Sequence, residues 1–315
     1  MNPVFALYKM PGTSELSLVE GELDVFSPEG SSGFVFCDFE GSLQYKIVGP
    51  CKVVSDLSFL DDLRLEEPPV TKDVYDLVLN KAIKAVENDQ LIKVVISKQV
   101  FRKRERSIRE LFELLSQRYD NAFVSLVSTG RELWMGATPE RILEKNKEGA
   151  RTVALAGTKW EDRPWTQKEF FEQGVVTEYI QDQLMGLDVS YRLGDVETIS
   201  AGPLKHLRTN IFMDAGLEVL EALHPTPAVG GIPKKDAIAF IRENEGYRRR
   251  FYSGYLGPVI DPNNAHLFVN LRCMQLWRDS ATVYVGGGIV KGSTFEGERK
   301  ELEAKASVLG KFLSK

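Results

Sequence analysis

Two pairs of glutamates stand at a spacing that can do chemistry. Glu169 and Glu172 are three apart in KEFFEQGVV, and Glu298 and Glu301 repeat that interval in EGERKELEAKASVL, with Lys305 four residues further on. Residues three or four apart share a helical face, so each pair presents two carboxylates side by side. Oxygens from two such helices suit Mg²⁺, which takes a few carboxylates and fills its other positions with water and substrate oxygens. The plainer reading is a solvated face carrying a Glu–Lys pair. On spacing alone that plainer reading is preferred, because such pairs are common on exposed helices.

Lys93 lies within LIKVVIS. On a strand, Lys93, Val95 and Ser97 share one face, while Ile92, Val94 and Ile96 share the other. A lysine desolvated among apolar neighbours can serve as a general base. The alternative is an edge-strand lysine that blocks aggregation. Glu140, in GATPER, follows a proline at a strand end. It is either a placed carboxylic acid or a turn residue bonded to Arg141. Glycines in ALAGT, AVGGIP and YVGGGIV, among them Gly286 and Gly288, allow close approach of an anionic ligand. None has the spacing of a phosphate loop or a dinucleotide fingerprint. His206, one of three histidines, reads on its own as a structural residue. No nucleophilic triad or zinc constellation is visible.

The elements that must position these groups follow from hydrophobic pattern. Residues 1 to about 66 read as short strands broken by turns such as PEGSSG. Asp73 or Thr71 is placed to cap a helix over VYDLVLNKAIKAVEN, whose stripe is Val74, Leu77, Ala82 and Val86. LIKVVISKQVF reads as a strand and IRELFELLSQRY as a helix. AFVSLVS and ELWMGATPERILEKN read as a hairpin, TQKEFFEQGVVTEYIQDQLM as a long helix and HPTPAVGGIPKKD as a loop. AIAFIRENEGYRRR is helical, strands follow, and a last helix runs from Glu298 to Leu313 with the stripe Leu302, Ala306, Leu309 and Leu313. Mixed groups of strands and helices point to an α+β fold.

Composition bounds the function. The 315 residues are 43% hydrophobic, with 40 Lys+Arg against 45 Asp+Glu. That is ample for a folded core, and the net charge of −5 offers no general attraction to nucleic acid or anionic lipid. An anionic substrate would need local cations or a metal. Cys37, Cys51 and Cys273 are too scattered for a disulfide scaffold and fit a reducing compartment. No apolar run approaches the ~18 residues of a membrane span, and the start Met-Asn-Pro-Val lacks a signal pattern. A cytoplasmic protein is expected.

In order along the chain, KVVISK, GATPER, ALAGT, KEFFEQGVV, KHLRT, HPTPAVGGIP, RRRFYSGYLG, LRCMQL, YVGGGIV and ERKELEAKASVL resemble the chorismate-utilising enzymes. That family includes anthranilate, aminodeoxychorismate, isochorismate and salicylate synthases. The resemblance covers about residues 74 to 313. It implies large antiparallel sheets packed together, helices outside and the active site in a cleft. Residues 71–315 would form the chorismate-binding catalytic domain, with 1–70 a short β-rich part integrated into the fold. The family is also taken to imply a monomer. The short N-terminal part leaves little room for an amino-acid feedback site, and none is expected.

The resemblance changes how the glutamates are read. Glu172 and Glu301 match direct Mg²⁺ ligands, Glu169 and Glu298 supporting carboxylates, and Lys305 a substrate-carboxylate ligand. Tyr252 and Arg272 match residues that hold the enolpyruvyl carboxylate, and His206 matches a histidine near the ring. Three positions discriminate within the family. Lys93 stands where ammonia-using members have Gln, Ala156 where aminodeoxychorismate synthases have a nucleophilic lysine, and Ala228 where pyruvate-eliminating members usually have Thr. All three point to isochorismate formation from chorismate, with Lys93 as base and Glu140 as acid. The rivals are salicylate formation with pyruvate loss and a non-catalytic chorismate-binding paralogue. Isochorismate feeds menaquinone, catechol siderophores or salicylate, and the sequence does not choose among them. Gln173, Lys159 and Lys98 depart from the family's usual His, Arg and Arg.

Overall fold

Runs such as AFVSLVS and GFVFC leave almost no position for solvent, so their strands need cover on both faces. The computed structural model describes residues 2–28, 32–70, 72–159, 163–201 and 204–314. The chain begins with strands β1 (Val4–Lys9), β2 (Leu16–Glu20), β3 (Glu22–Val25), β4 (Gly33–Cys37), β5 (Gln44–Val48) and β6 (Cys51–Val54). Next come α1 (Tyr75–Glu87), β7 (Lys93–Lys103), α2 (Ile108–Arg118), β8 (Phe123–Thr129), β9 (Leu133–Thr138), β10 (Arg141–Asn146) and β11 (Gly149–Lys159). The middle holds α3 (Gln167–Gly186), β12 (Tyr191–Ala201), β13 (Leu204–Met213), α4 (Val219–Leu223), β14 (Gly231–Ile232) and α5 (Lys234–Asn244). Strands β15 (Tyr255–Asp261), β16 (Asn264–Val269), β17 (Cys273–Leu276) and β18 (Ser280–Val290) precede the last helix, α6 (Phe295–Gly310).

Among the described residues the strands form two nine-stranded sheets, in the orders β14-β7-β18-β17-β9-β8-β1-β2-β6 and β12-β13-β11-β10-β16-β15-β4-β5-β3. Every pairing is antiparallel. The alternation of side chains across a strand explains the layering. In β1, Phe5 and Leu7 point into a core shared with α1, α2, α5 and α6, whereas Ala6 and Tyr8 point at the other sheet. The second sheet likewise turns Val35, Leu143 and Leu267 toward α3 and α4, and Phe34, Phe36 and Phe268 inward. The result is four layers, helices–sheet–sheet–helices. This α+β sandwich is the architecture expected from the sequence. The first six strands divide between the sheets, β1, β2 and β6 in one and β3, β4 and β5 in the other.

Several local expectations change. In α1 the buried stripe is Tyr75, Val78, Leu79, Ala82, Ala85 and Val86, and Leu77 is exposed. Asp73 accepts from the Tyr75 N–H at 3.1 Å, whereas Thr71 lies outside the described residues. The final helix starts at Phe295, where Thr294 caps the Gly297 N–H, and its apolar stripe packs as expected. The expected hairpin is β8–β9 only, because β10 belongs to the opposite sheet. Pro139 has no N–H for the ladder, so the chain leaves one sheet there and crosses to the other. That crossing places Glu140 between the sheets. No described helix is long and apolar enough to cross a membrane.

The inter-sheet layer is aromatic. Phe123 is fully buried and stacks on Phe268 with ring centroids 4.4 Å apart, beside Tyr8 and Phe34. Phe123→Ala is expected to lower folding stability by about 3–5 kcal/mol, read by urea unfolding. A loss below about 1 kcal/mol would mean that this layer repacks freely.

Candidate active site

One cavity of about 320 Å³ opens between the two sheets, walled by β7, β11, β13 and β18 and closed by α3 and α6. The thirteen residues given a catalytic, substrate or metal role from the sequence all line it: Lys93, Glu140, Glu169, Glu172, His206, Ala228, Tyr252, Arg272, Gly286, Gly288, Glu298, Glu301 and Lys305; so does Ala156.

Lys93 is 1% exposed and lies in the interior of its sheet, its strand paired with β18 on one side and β14 on the other. The edge-strand reading is therefore corrected. So is the picture of a lone amine among apolar groups, because Nζ donates to Glu172 Oε1 at 3.0 Å. Glycine at 288 makes that contact possible: a Cβ there would stand 2.8 Å from Glu172 Oε1 and 3.1 Å from Lys93 Cε. Gly286 plays the same part for Tyr252, whose hydroxyl would lie 2.7 Å from an added Cβ.

The glutamates are not a solvated surface face. Glu169 and Glu298 are buried, and each of the four carboxylates has a cation. Glu172 meets Lys93, Glu301 meets Lys305 at 2.7 Å, Glu169 meets Arg163 at 2.7 Å and Glu298 meets Lys168 at 3.2 Å. Glu169 also accepts from the Thr166 N–H at 2.7 Å, which fixes the start of α3. Burial opposes its ionisation, yet Arg163 and Thr166 outweigh burial and hold it at about 2. Burial likewise opposes Glu301, and Lys305 overcomes it, so the carboxyl sits below its usual range. Lys305 also reaches the Gly286 carbonyl at 3.2 Å.

Of the two readings of Glu140, the turn residue bonded to Arg141 is not the one seen, because Arg141 turns to Glu144 at 2.6 Å. Burial pushes the Glu140 carboxyl up from 4.5 to about 7, with Lys93 and Arg272 pulling the other way. His206 is driven down to about 3 by burial and then by Arg272 and Lys305, so its ring is neutral. Its Nδ1 lies 3.3 Å from the Gly157 carbonyl and Nε2 lies 3.5 Å from Arg272 Nη2. Nδ1–H therefore donates to the carbonyl and Nε2 faces the guanidinium as an acceptor. Arg272 adopts a left-handed backbone, φ +47°, stabilised where its carbonyl accepts from the Ala137 N–H at 3.1 Å. Strain of this kind persists only where the surroundings enforce it.

The three departures from the family pattern are structurally satisfied. Gln173 donates to Thr177 at 2.9 Å and Thr209 at 2.7 Å. Lys159 bonds the Arg163 carbonyl and lies over Trp165, and Lys98 pairs with Asp73 at 2.6 Å. Sequence reading does not single out Arg163 and Lys168. Their only signal is proximity to the first acidic helix, since the Lys168–Glu298 contact joins residues 130 apart. Nor does it single out the buried pair Glu245–Arg249 behind Lys93.

Among the described residues, no group of three or more His, Cys, Asp or Glu side chains could hold a metal ion by itself. The donor set is nonetheless chemically selective. Glu172 and Glu301 face one cavity, and all-oxygen donors fit a hard cation that completes its shell with water and substrate.

Residues 60–314 match the family model described as chorismate binding enzyme. The chain belongs to that family. It is 31% identical over 223 residues to the salicylate biosynthesis isochorismate synthase of Pseudomonas aeruginosa, covering 65% of this chain and 47% of that one. It is 28% identical over 251 residues to an isochorismate synthase of Haemophilus influenzae, covering 73% and 58%. The chain thus spans about half the length of the curated relatives it matches. The menaquinone-specific isochorismate synthase of Escherichia coli has the same fold, with a TM-score of 0.81 at 20% identity, covering 99% of this chain and 89% of that one.

Burial of Glu140 makes a prediction about stability. The folded state holds a proton that the unfolded chain loses above 4.5, so stability should fall as pH rises from 4.5 through about 7. Urea unfolding across that window should show the decline, and Glu140→Gln should flatten it. An unchanged slope in the variant would place the titration elsewhere.

Proposed function

We propose that this chain converts chorismate to isochorismate, with Mg²⁺ as cofactor. The observation that carries the reading is a buried lysine and a buried, proton-retaining glutamate in one cavity with two carboxylate pairs. A base and an acid at one site need their environments to differ. Lys93 takes a proton from water as its oxygen adds to C2, the ring double bonds shift, and the C4 hydroxyl leaves as water with the proton of Glu140. One water enters and one leaves, so the change is an isomerisation. Lys93 can act as base only when its Nζ is not donating to Glu172, the contact it makes in this structure at 3.0 Å.

Glu172 and Glu301, supported by Glu169 and Glu298, would hold Mg²⁺, which when bound would supply charge neutralisation for a carboxylate of the substrate. Tyr252 and Arg272 suit the enolpyruvyl carboxylate, the guanidinium being able to bind it through two parallel bonds. Lys305 suits the other carboxylate, and neutral His206 lies alongside the ring. Alanine at 156 leaves no amine for a covalent route. Alanine at 228 is the family's pattern in members that keep the enolpyruvyl group. The names of the relatives point to menaquinone or salicylate routes as users of the product.

Incubation with chorismate and Mg²⁺, followed by product separation, should yield isochorismate without pyruvate. Salicylate with equimolar pyruvate would defeat the Ala228 argument, and ligand-induced thermal stabilisation without turnover would indicate a binding protein. Lys93→Ala should lower kcat about 10²–10⁴-fold, the usual span for loss of a general base. Turnover near the wild-type rate would sink the assignment.

A further inference from the structure

The four acid–cation pairs in the cleft are not alike. Lys93 is buried at the start of a strand inside its sheet, and Lys305 is tied to both Glu301 and the Gly286 carbonyl. Lys168 differs. Its side chain is 40% exposed, while the Glu298 side chain it reaches is only 4% exposed. The contact also crosses the cleft, because α3 packs on one sheet and α6 on the other. Lys168 contributes, after burial and Lys305, to the balance that keeps neighbouring Glu301 ionised. The lysine end of this pair is half exposed on a long, flexible stem, so its ammonium can turn into water once another cation serves the buried carboxylate.

We propose that Lys168 is a displaceable stand-in for the divalent cation, holding Glu298 across the cleft until the ion enters and then swinging into solvent. The inference rests on the cation-site reading above. Its physical basis is charge: a carboxylate pair already neutralised by an ammonium gains less from a metal ion, and the ammonium repels that ion at short range. Arg163 is a different case, because its partner Glu169 is also committed to capping α3.

The test is calorimetric titration of Mg²⁺ into the full chain, without substrate, for wild type, Lys168→Met and Lys168→Arg. Removing the ammonium should tighten Mg²⁺ binding about tenfold, or make it measurable where wild type shows none. Arginine, which keeps the charge, should stay near wild type. Without metal the Met variant should melt somewhat lower, because buried Glu298 loses its cation, and Mg²⁺ should restore its midpoint. Equal or weaker binding by the Met variant overturns the inference, and weaker binding with a midpoint that Mg²⁺ does not restore would mark Lys168 as a structural strut. A parallel titration with chorismate present separates the two readings. If wild type binds Mg²⁺ there and the Met variant does not differ without substrate, only the role of Lys168 falls. If neither protein binds under either condition, the cation site itself falls, and this inference with it.

Discussion

A buried ion pair holds together the wall from which the cleft is built. Arg249 and Glu245 are 1% and 0% exposed, joined by bonds of 2.9 and 2.5 Å. The guanidinium also donates to the Val229 carbonyl at 2.7 Å and the Val95 carbonyl at 2.5 Å, and the carboxylate accepts from Ser97 N–H and Oγ at 2.7 and 3.0 Å. Buried charges are tolerated only when paired and fully hydrogen-bonded, and removing one partner costs about 3–5 kcal/mol. This pair meets that condition. Val95 is two residues from Lys93, and Val229 follows Ala228. A single guanidinium therefore ties the strand that carries Lys93 to the loop that carries Ala228.

The charge inside the cleft differs from that of the whole chain. Lys93, Arg163, Lys168, Arg272 and Lys305 line it with Glu140, Glu169, Glu172, Glu298 and Glu301, five of each sign. Glu140 keeps its proton up to about 7, so near neutrality the lining is slightly positive while the chain carries −5. Paired rather than bare carboxylates explain how a low-dielectric cleft holds so many acids. The same cations keep His206 neutral, after burial, and so leave its ring a hydrogen-bonding group rather than a competing charge.

Much of this is legible along the chain. Alternation and unbroken apolar runs identify most strands, helical periodicity identifies the two acidic helices, and a three-residue interval places each glutamate pair on one face. Residue order, through the family resemblance, carries thirteen of the residues that line the cavity. The differences are local. Periodicity assigns Leu77 to the buried stripe, but packing chooses a neighbouring face. Pattern also joins β10 to a hairpin, because hydrophobicity alone does not say which sheet a strand enters.

The amino-acid order by itself determined which side chains carry charge, which can share a face and which strands must be covered on both sides, since these follow from residue type and short-range periodicity. It also limited the chemistry to oxygen donors, a lysine and a protonatable glutamate. Whether an acidic helix faces water or a cleft was settled only by the tertiary structure. So were the partner of each carboxylate, the burial that protonates Glu140, and the bridge from Lys168 to Glu298. Those properties depend on contacts between residues far apart in sequence. Desolvation and Coulomb interaction are set by distance in space, which no spacing along the chain records.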